Sequence, residues 1–252
     1  MTQFNIINID ETDSTNNEVK KLAAKGFPHG TVVRAERQTA GKGRSGKSWS
    51  SVDGGLFFSV LLRPPAEMAV NPGMITLSAG IAAAETARSF GVKAGVKWPN
   101  DVLAGGRKPY RKFCGILAET SAEDGVSGPV VLGIGVNVNI KKFPTDIAGI
   151  ATSMYLETGG AFDSVLIMES ILQAFTPLYY KALDGDSALI IARYKQLCLN
   201  IGEVVTLTNT VTGERITGLV LDVDGGGGLV MRLEYGSVYT AWSGEVTFNE
   251  KL

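Results

Sequence analysis

Residues 41–48 read Gly-Lys-Gly-Arg-Ser-Gly-Lys-Ser, a glycine, four further residues and then Gly-Lys-Ser, which satisfies the pattern of a phosphate-binding loop. Between Arg37 and Val52 the chain carries the cations Arg37, Lys42, Arg44 and Lys47 and no acid. Gly41, Gly43 and Gly46 leave backbone amides able to approach an anion. A second basic stretch follows at 93–112, where Lys93, Lys97, Arg107, Lys108, Arg111 and Lys112 face the single acid Asp101. Chemistry suited to these residues is the holding of phosphate or carboxylate groups. The whole chain has a formal net charge of -1, so its positive charge is local, which fits a small polyanion better than a nucleic-acid surface.

Other reactive residue types are scarce. The only histidine, His29, sits in the turn-like Pro28-His29-Gly30, which excludes histidine general-base catalysis and His-rich metal sites. Cys114 and Cys198 lie in apolar segments without CxxC spacing and read as buried thiols. The start of the chain, MTQFNIINIDETD, has no basic leader and no apolar core, and no apolar run reaches membrane-spanning length. A cytoplasmic location, with no membrane partner, is the expectation.

The elements that must carry these residues are mixed. Phe4–Ile9 alternates as a strand, Asp13-Ser14-Thr15-Asn16 offers caps for a helix running to Lys25, and Gly26 stops it. Strands are predicted at Thr31–Arg37, Leu56–Leu62, Val92–Trp98, Lys112–Thr120 and Val130–Ile140, with an Ala-rich helix over Met74–Phe90 and turns at 104–110 and 121–129. A helical pattern covers 163–197, with a break or kink at Pro177. From 203 to 248 only short alternating runs joined by glycine turns remain, the pattern of a small all-β barrel. The expectation is an α+β fold, with a large domain over 1–200 and a small one over 201–252.

This context works against the phosphate loop as a fold marker. Such a loop joins a strand to a helix whose N-terminus faces the phosphates. Here Ser48-Trp49-Ser50-Ser51-Val52-Asp53-Gly54-Gly55 leads to a strand. Extended from Gln38 to Trp49, the segment instead resembles the glycine- and arginine-rich loop of biotin protein ligases. Asp13-Ser14-Thr15-Asn16, Lys97-Trp98-Pro99-Asn100-Asp101, Lys112-Phe113-Cys114-Gly115-Ile116-Leu117, Gly133-Ile134-Gly135-Val136-Asn137-Val138-Asn139 and Trp242-Ser243-Gly244-Glu245 are similar to further landmarks of that family, in order. The family usually has arginine where this chain has Lys42 and Lys47, and lysine lacks the planar fork of a guanidinium.

The resemblance implies a mixed-sheet catalytic domain of the biotin/lipoate ligase type, with a C-terminal SH3-like β-barrel. It implies an ATP-dependent ligase that activates biotin as biotinyl-5'-AMP and passes it to a lysine of a biotin carboxyl carrier protein, with Mg2+ as cofactor. Biotin would be held by Ser14, Thr15, Asn16, Gln38, Gly41, Lys42, Gly43, Arg44, Lys112 and Gly115. The nucleotide would meet Arg44, Lys47, Trp49, Lys97, Asn100 and Asn137. Arg44, Lys112 and Lys97 would be catalytic, and Asp101 would help hold the metal. Residues 141–151 would form a second mobile loop over the nucleotide. With only twelve residues before Asp13, the resemblance points to the form without a DNA-binding domain; a homodimer is left open.

Three alternatives stand beside this reading: a lipoate ligase, which has a similar fold and strand lysine but lacks this loop; a non-catalytic biotin sensor; and a P-loop NTPase. Ser14 and Thr15 serve equally as helix caps, and Trp49 as ordinary packing.

Overall fold

A computed structural model describes residues 4–65, 71–106, 108–123 and 126–249. Its main sheet has seven strands: β1 (Asn5–Thr12), β2 (Thr31–Gln38), β3 (Gly55–Leu62), β4 (Ala94–Lys97), β5 (Asp101–Ala104), β6 (Arg111–Glu123) and β7 (Val126–Asn137). Their spatial order is β1-β2-β3-β7-β6-β5-β4, with β1 and β2 parallel and every other pair antiparallel. The sheet is therefore mixed.

Helices cover both faces, but not to the same extent. Helix α1 (Thr15–Ala24) places Val19 against Val33, Leu61 and Val131, a small apolar cluster on one face. On the other face α2 (Pro72–Ser89), α4 (Ser164–Leu183) and α5 (Ser187–Leu197) bury a far larger core with Phe58, Val60, Leu132 and Ile134. Helix α2 starts where Asn71 Oδ1 accepts from Gly73 N–H at 2.8 Å, with Pro72 in the first turn, and stops before Gly91 at φ 88. The face under α1 is only partly covered, and the remainder is open to a ligand.

Several expectations shift. The stretch 121–129 lies mostly in β6 and β7 rather than in a long turn, and the four-residue strand β5 falls where only Asp101-Val102-Leu103-Ala104 had to pair with β4. Pro177 stays inside α4; the helical run breaks at Gly185 instead, where φ is 73. A short helix, α3 (Met154–Thr158), is capped by Ser153 Oγ accepting from Leu156 N–H at 3.1 Å.

The C-terminal barrel is a correction. Strands β8 (Val204–Thr208), β9 (Arg215–Val223), β10 (Leu229–Leu233), β11 (Val238–Ala241) and β12 (Glu245–Phe248) form a sheet in the order β11-β10-β9-β8-β12. Among the described residues no ladder joins β11 to β12, so the sheet stays open and there is no SH3-like barrel. Closure requires the two edge strands to pair. Here both edges are only four residues long, and Trp242-Ser243-Gly244 takes the chain across to pair β12 with β8. The inner residues Val205, Leu207, Val220, Leu229 and Met231 are continuous with the main core. Among the described residues no helix is long and apolar enough to cross a membrane.

Candidate active site

Strand alternation builds the floor of a cleft of about 1370 Å³ on the face beside α1. Gly133 and Gly135 of β7 share that face with Ser59 and Phe57 of β3 and with Leu117 and Gly115 of β6, their register partners. The glycines are required by close approach. A Cβ on Gly133 would run into Asn16 Oδ1, and one on Gly135 would stand 2.6 Å from the Trp49 indole. Gly115 is equally constrained, since a Cβ there would meet Trp49 at 2.6 Å and the Lys112 side chain at 3.0 Å.

Lys112 reaches this face through a break in the alternation. Val102 pairs with Cys114 while Leu103 pairs with Lys112, so Phe113 is an extra residue in β6. Both Phe113 and Cys114 are buried in the main core. The bulge restores parity, and Lys112, three positions before Gly115, points into the cleft with it. Lys112 Nζ then lies 2.6 Å from Asp101 Oδ1, while Lys97 Nζ lies 3.7 Å from Asp101 Oδ2. Lys97 and Asp101 are direct partners across the β4–β5 hairpin, which Trp98 anchors. Trp98 is buried, and its Nε1 donates to Gly227 O at 2.9 Å, tying the hairpin to the smaller sheet.

The basic loop crosses the cleft as a tight hairpin. Gly43 N–H donates to Lys47 O at 2.7 Å, Trp49 N–H to Gly41 O at 2.8 Å, and Lys42 bridges Ser48. The Gly43 amide is thereby spent within the loop, so of the three glycines expected to offer N–H groups to an anion this one does not. No helix follows; β3 does, which removes the P-loop fold. Arg44 turns inward, donating to Asn100 Oδ1 at 3.1 Å and to Gly244 O at 3.5 Å. Asn100 in turn donates to Ile116 O at 3.0 Å. Trp49 lies on the glycine floor with Lys112 Nζ 5.1 Å from its ring centroid.

At the other end of the cleft is a polar cluster. Thr15 N–H donates to Gln38 Oε1 at 2.9 Å, and Thr15 Oγ1 lies 3.2 Å from the same oxygen. Ser59 Oγ lies 2.7 Å from Thr15 Oγ1 and 2.5 Å from Asn16 Oδ1. Asn16 Nδ2 donates to Glu119 Oε2 at 2.7 Å, and Lys20 takes the other carboxylate oxygen at 2.6 Å. Ser14 is buried and occupies the N-cap position of α1, where its carbonyl accepts from Glu18 N–H at 3.1 Å while its side chain makes no capping hydrogen bond.

Lys42 and Lys47 also line the cleft, each with a partner of its own: Lys42 Nζ lies 2.6 Å from Asn17 Oδ1, and Lys47 Nζ lies 2.5 Å from Glu245 Oε1. Asn137 is buried and donates to Thr152 O at 3.0 Å. Ser59 and Glu119 were missed by sequence reasoning. A lone Ser and a lone Glu in apolar strands carry no local signal, and only the β3-β7-β6 order brings them to Asn16.

Electrostatics separate the two ends. Burial pushes Lys97 below the ordinary lysine value; Asp101 opposes the shift and Lys112 adds to it. Burial also lowers Arg44, against Asp101 and Glu245. At the polar end burial works against ionised Glu119, yet the hydrogen bonds from Lys20 and Asn16 outweigh it and hold the acid below its ordinary value. Cys114 is pushed up to about 12 and Cys198 to about 11, chiefly by burial, so neither thiol is a nucleophile at neutral pH. His29, half-buried and stacked on Tyr179 at 5.5 Å, lies outside the cleft lining.

The chain that builds this cleft is similar to known proteins. The profile of the Biotin/lipoate A/B protein ligase family matches residues 9–137. The Bifunctional ligase/repressor BirA of Bacillus subtilis (strain 168) is 32% identical over 240 residues, covering 92% of this chain and 71% of that protein. Among solved structures, the biotin protein ligase from Aquifex aeolicus in complex with biotin and ATP has 30% identity and a TM-score of 0.82, covering 98% of this chain and 99% of that one. The chain belongs to the Biotin/lipoate A/B protein ligase family and, within it, is an enzyme of the biotin protein ligase kind.

Proposed function

We propose that the cleft carries out both half-reactions of biotin transfer. A carboxylate oxygen of biotin attacks the α-phosphorus of ATP, forming biotinyl-5'-AMP as the bond to pyrophosphate breaks. The amine of a carrier-protein lysine then attacks the acyl carbon, AMP leaves, and the amine gives up its proton. The observation that carries the reading is the placing of three cations, Arg44, Lys97 and Lys112, around one end of a cleft whose other end is lined by neutral hydrogen-bonding groups.

Both reactants of the first step are anions, so their approach needs fixed positive charge more than a protein nucleophile. Lys112, at the junction of floor and cationic end, would hold the biotin carboxylate against the α-phosphate. Lys97 and Asn100 would meet the remaining phosphates, and Arg44 would span the mixed anhydride. Ser14, Thr15, Asn16 and Gln38 would receive the ureido ring, with Gly41, Gly43 and Gly115 allowing close approach. Trp49 and Asn137 would flank the nucleotide. In this reading Lys42 and Lys47 act from the rim, and 141–151 covers the nucleotide.

Asp101 would be the carboxylate that helps hold Mg2+, exchanging a lysine contact for an ion that takes one or two carboxylates and completes its shell with phosphate oxygens and water. Bound there, the ion would neutralise phosphate charge. The division at residue 200 into a catalytic unit and a smaller C-terminal unit belongs to the same reading, supported by the separate five-stranded sheet. The acceptor is a biotin carrier protein.

Biotin-dependent exchange of labelled pyrophosphate into ATP tests the first half-reaction. Exchange driven by lipoate instead, or ATP hydrolysis without biotin, would overturn the reading.

A further inference from the structure

Two hydroxyl protons serve three close contacts at the polar end of the cleft. Ser59 Oγ is 2.5 Å from Asn16 Oδ1 and 2.7 Å from Thr15 Oγ1, and Thr15 Oγ1 is 3.2 Å from Gln38 Oε1. Serine and threonine each own one hydroxyl proton. The direction of the chain is settled at its far end. Glu119 Oε2 can only accept while the acid is ionised, so the Asn16 atom 2.7 Å away must be the amide nitrogen. Lys20, 2.6 Å from the other oxygen, favours the ionised acid. Asn16 then turns its carbonyl oxygen to Ser59, and that oxygen must receive the Ser59 proton. With its own proton committed, Ser59 draws the Thr15 proton across the 2.7 Å contact.

Thr15 is left with lone pairs toward the cleft, beside a Gln38 oxygen that is also an acceptor and already takes Thr15 N–H at 2.9 Å. Two converging acceptors with no proton between them call for an N–H donor. We propose that Glu119, which need not touch the substrate, is a positioning residue that sets the hydrogen-bond polarity of Thr15, making this end of the cleft selective for a ligand N–H over an isosteric oxygen. This rests on the reading that biotin's ureido group lies at Thr15.

Glu119→Gln tests the idea while keeping the side-chain shape. A neutral amide can donate as well as accept, so Asn16 is free to flip, Ser59 can donate to Thr15, and Thr15 can turn its O–H to the cleft. The probes are biotin and its cyclic carbamate analogue, in which ring oxygen replaces the ureido N–H that faces Thr15. Their dissociation constants are measured by calorimetry without nucleotide, with ATP affinity as the check on an intact site. The wild type is expected to prefer biotin by at least about tenfold, because a site built for an N–H leaves buried acceptors unpaired when it meets oxygen. In Glu119→Gln the preference should collapse to about threefold or less, with ATP affinity within about twofold of wild type.

An undiminished preference in the variant, or equal loss of affinity for both ligands, would overturn the role of Glu119. So would a wild type that binds biotin and the analogue equally. A wild type that binds no biotin would instead fail the proposed function itself.

Discussion

Lys112 Nζ meets Asp101 Oδ1 at 2.6 Å only because Phe113 is bulged out of the β5–β6 ladder, which turns Lys112 to the same face as Gly115. Asp101 thereby holds one lysine from its own hairpin and one from the neighbouring strand. Replacement of Lys112 by alanine leaves Asp101 paired with Lys97 and the fold's core untouched. The expected outcome is loss of biotin-dependent pyrophosphate exchange by at least about 100-fold, the scale of removing one donor aimed at developing charge. Near-normal exchange would take Lys112 out of the reaction.

Arg44 links the loop to Asn100 of the hairpin and to Gly244 O of the smaller sheet. Arg44→Gly cuts both links and adds backbone freedom, so the loop should shut less firmly over the intermediate. The expected result is escape of biotinyl-AMP and labelling of amines on bystander proteins. Rapid filtration of enzyme loaded with labelled intermediate measures this, and retention equal to wild type would count against the role.

Gly133 supports Asn16 directly, with no room for a methyl group. Gly133→Ala should displace the Asn16 amide from Glu119 and lower biotin affinity by roughly 100-fold, as a shift of about 1 Å in a positioned group can do. ATP affinity, governed by the other end of the cleft, should change little. Titration of each ligand separately distinguishes the two ends.

Lys97 gives the site a pH dependence. Its folded pKa lies below the 10.5 of an unperturbed lysine, first because of burial, so the unfolded chain holds this proton more tightly. Keeping Lys97 charged therefore costs stability at neutral pH, and that cost is relieved as pH rises from the folded value toward 10.5. Function runs the other way. The alkaline limb of kcat/KM for ATP should begin below the ordinary lysine range, and in the kcat profile it should move to higher pH, because bound phosphates favour the protonated amine. Lys97→Gln should abolish that limb; a limb unchanged in the variant would assign it to another group.

Much of the scaffold was legible because its signals are local. Gly26 and Gly91 mark where α1 and α2 stop, and the unhelical composition after Ser48 correctly excluded a P-loop. What escaped depends on contacts between distant segments. The turns expected at 121–129 became strands because β6 and β7 continue to pair there, with Glu123 opposite Val126. The short runs of 203–248 were read correctly as strands, but alternation cannot tell a closed sheet from an open one. Loop charge singled out Lys42, which lines the cleft, but not its bond to Asn17 on α1, a contact between distant segments. Conversely, Ser59 and Glu119 had no pattern to betray them, and the bulge at Phe113 is invisible without its partner strand.

The most direct measurement combines the protein with biotin, magnesium ATP and an apo biotin carrier domain, followed by mass spectrometry of the carrier. The expected result is the mass gain of one biotinyl group, on one lysine, dependent on both biotin and ATP. A carrier left unmodified under these conditions, or modified by lipoate in place of biotin, would contradict it.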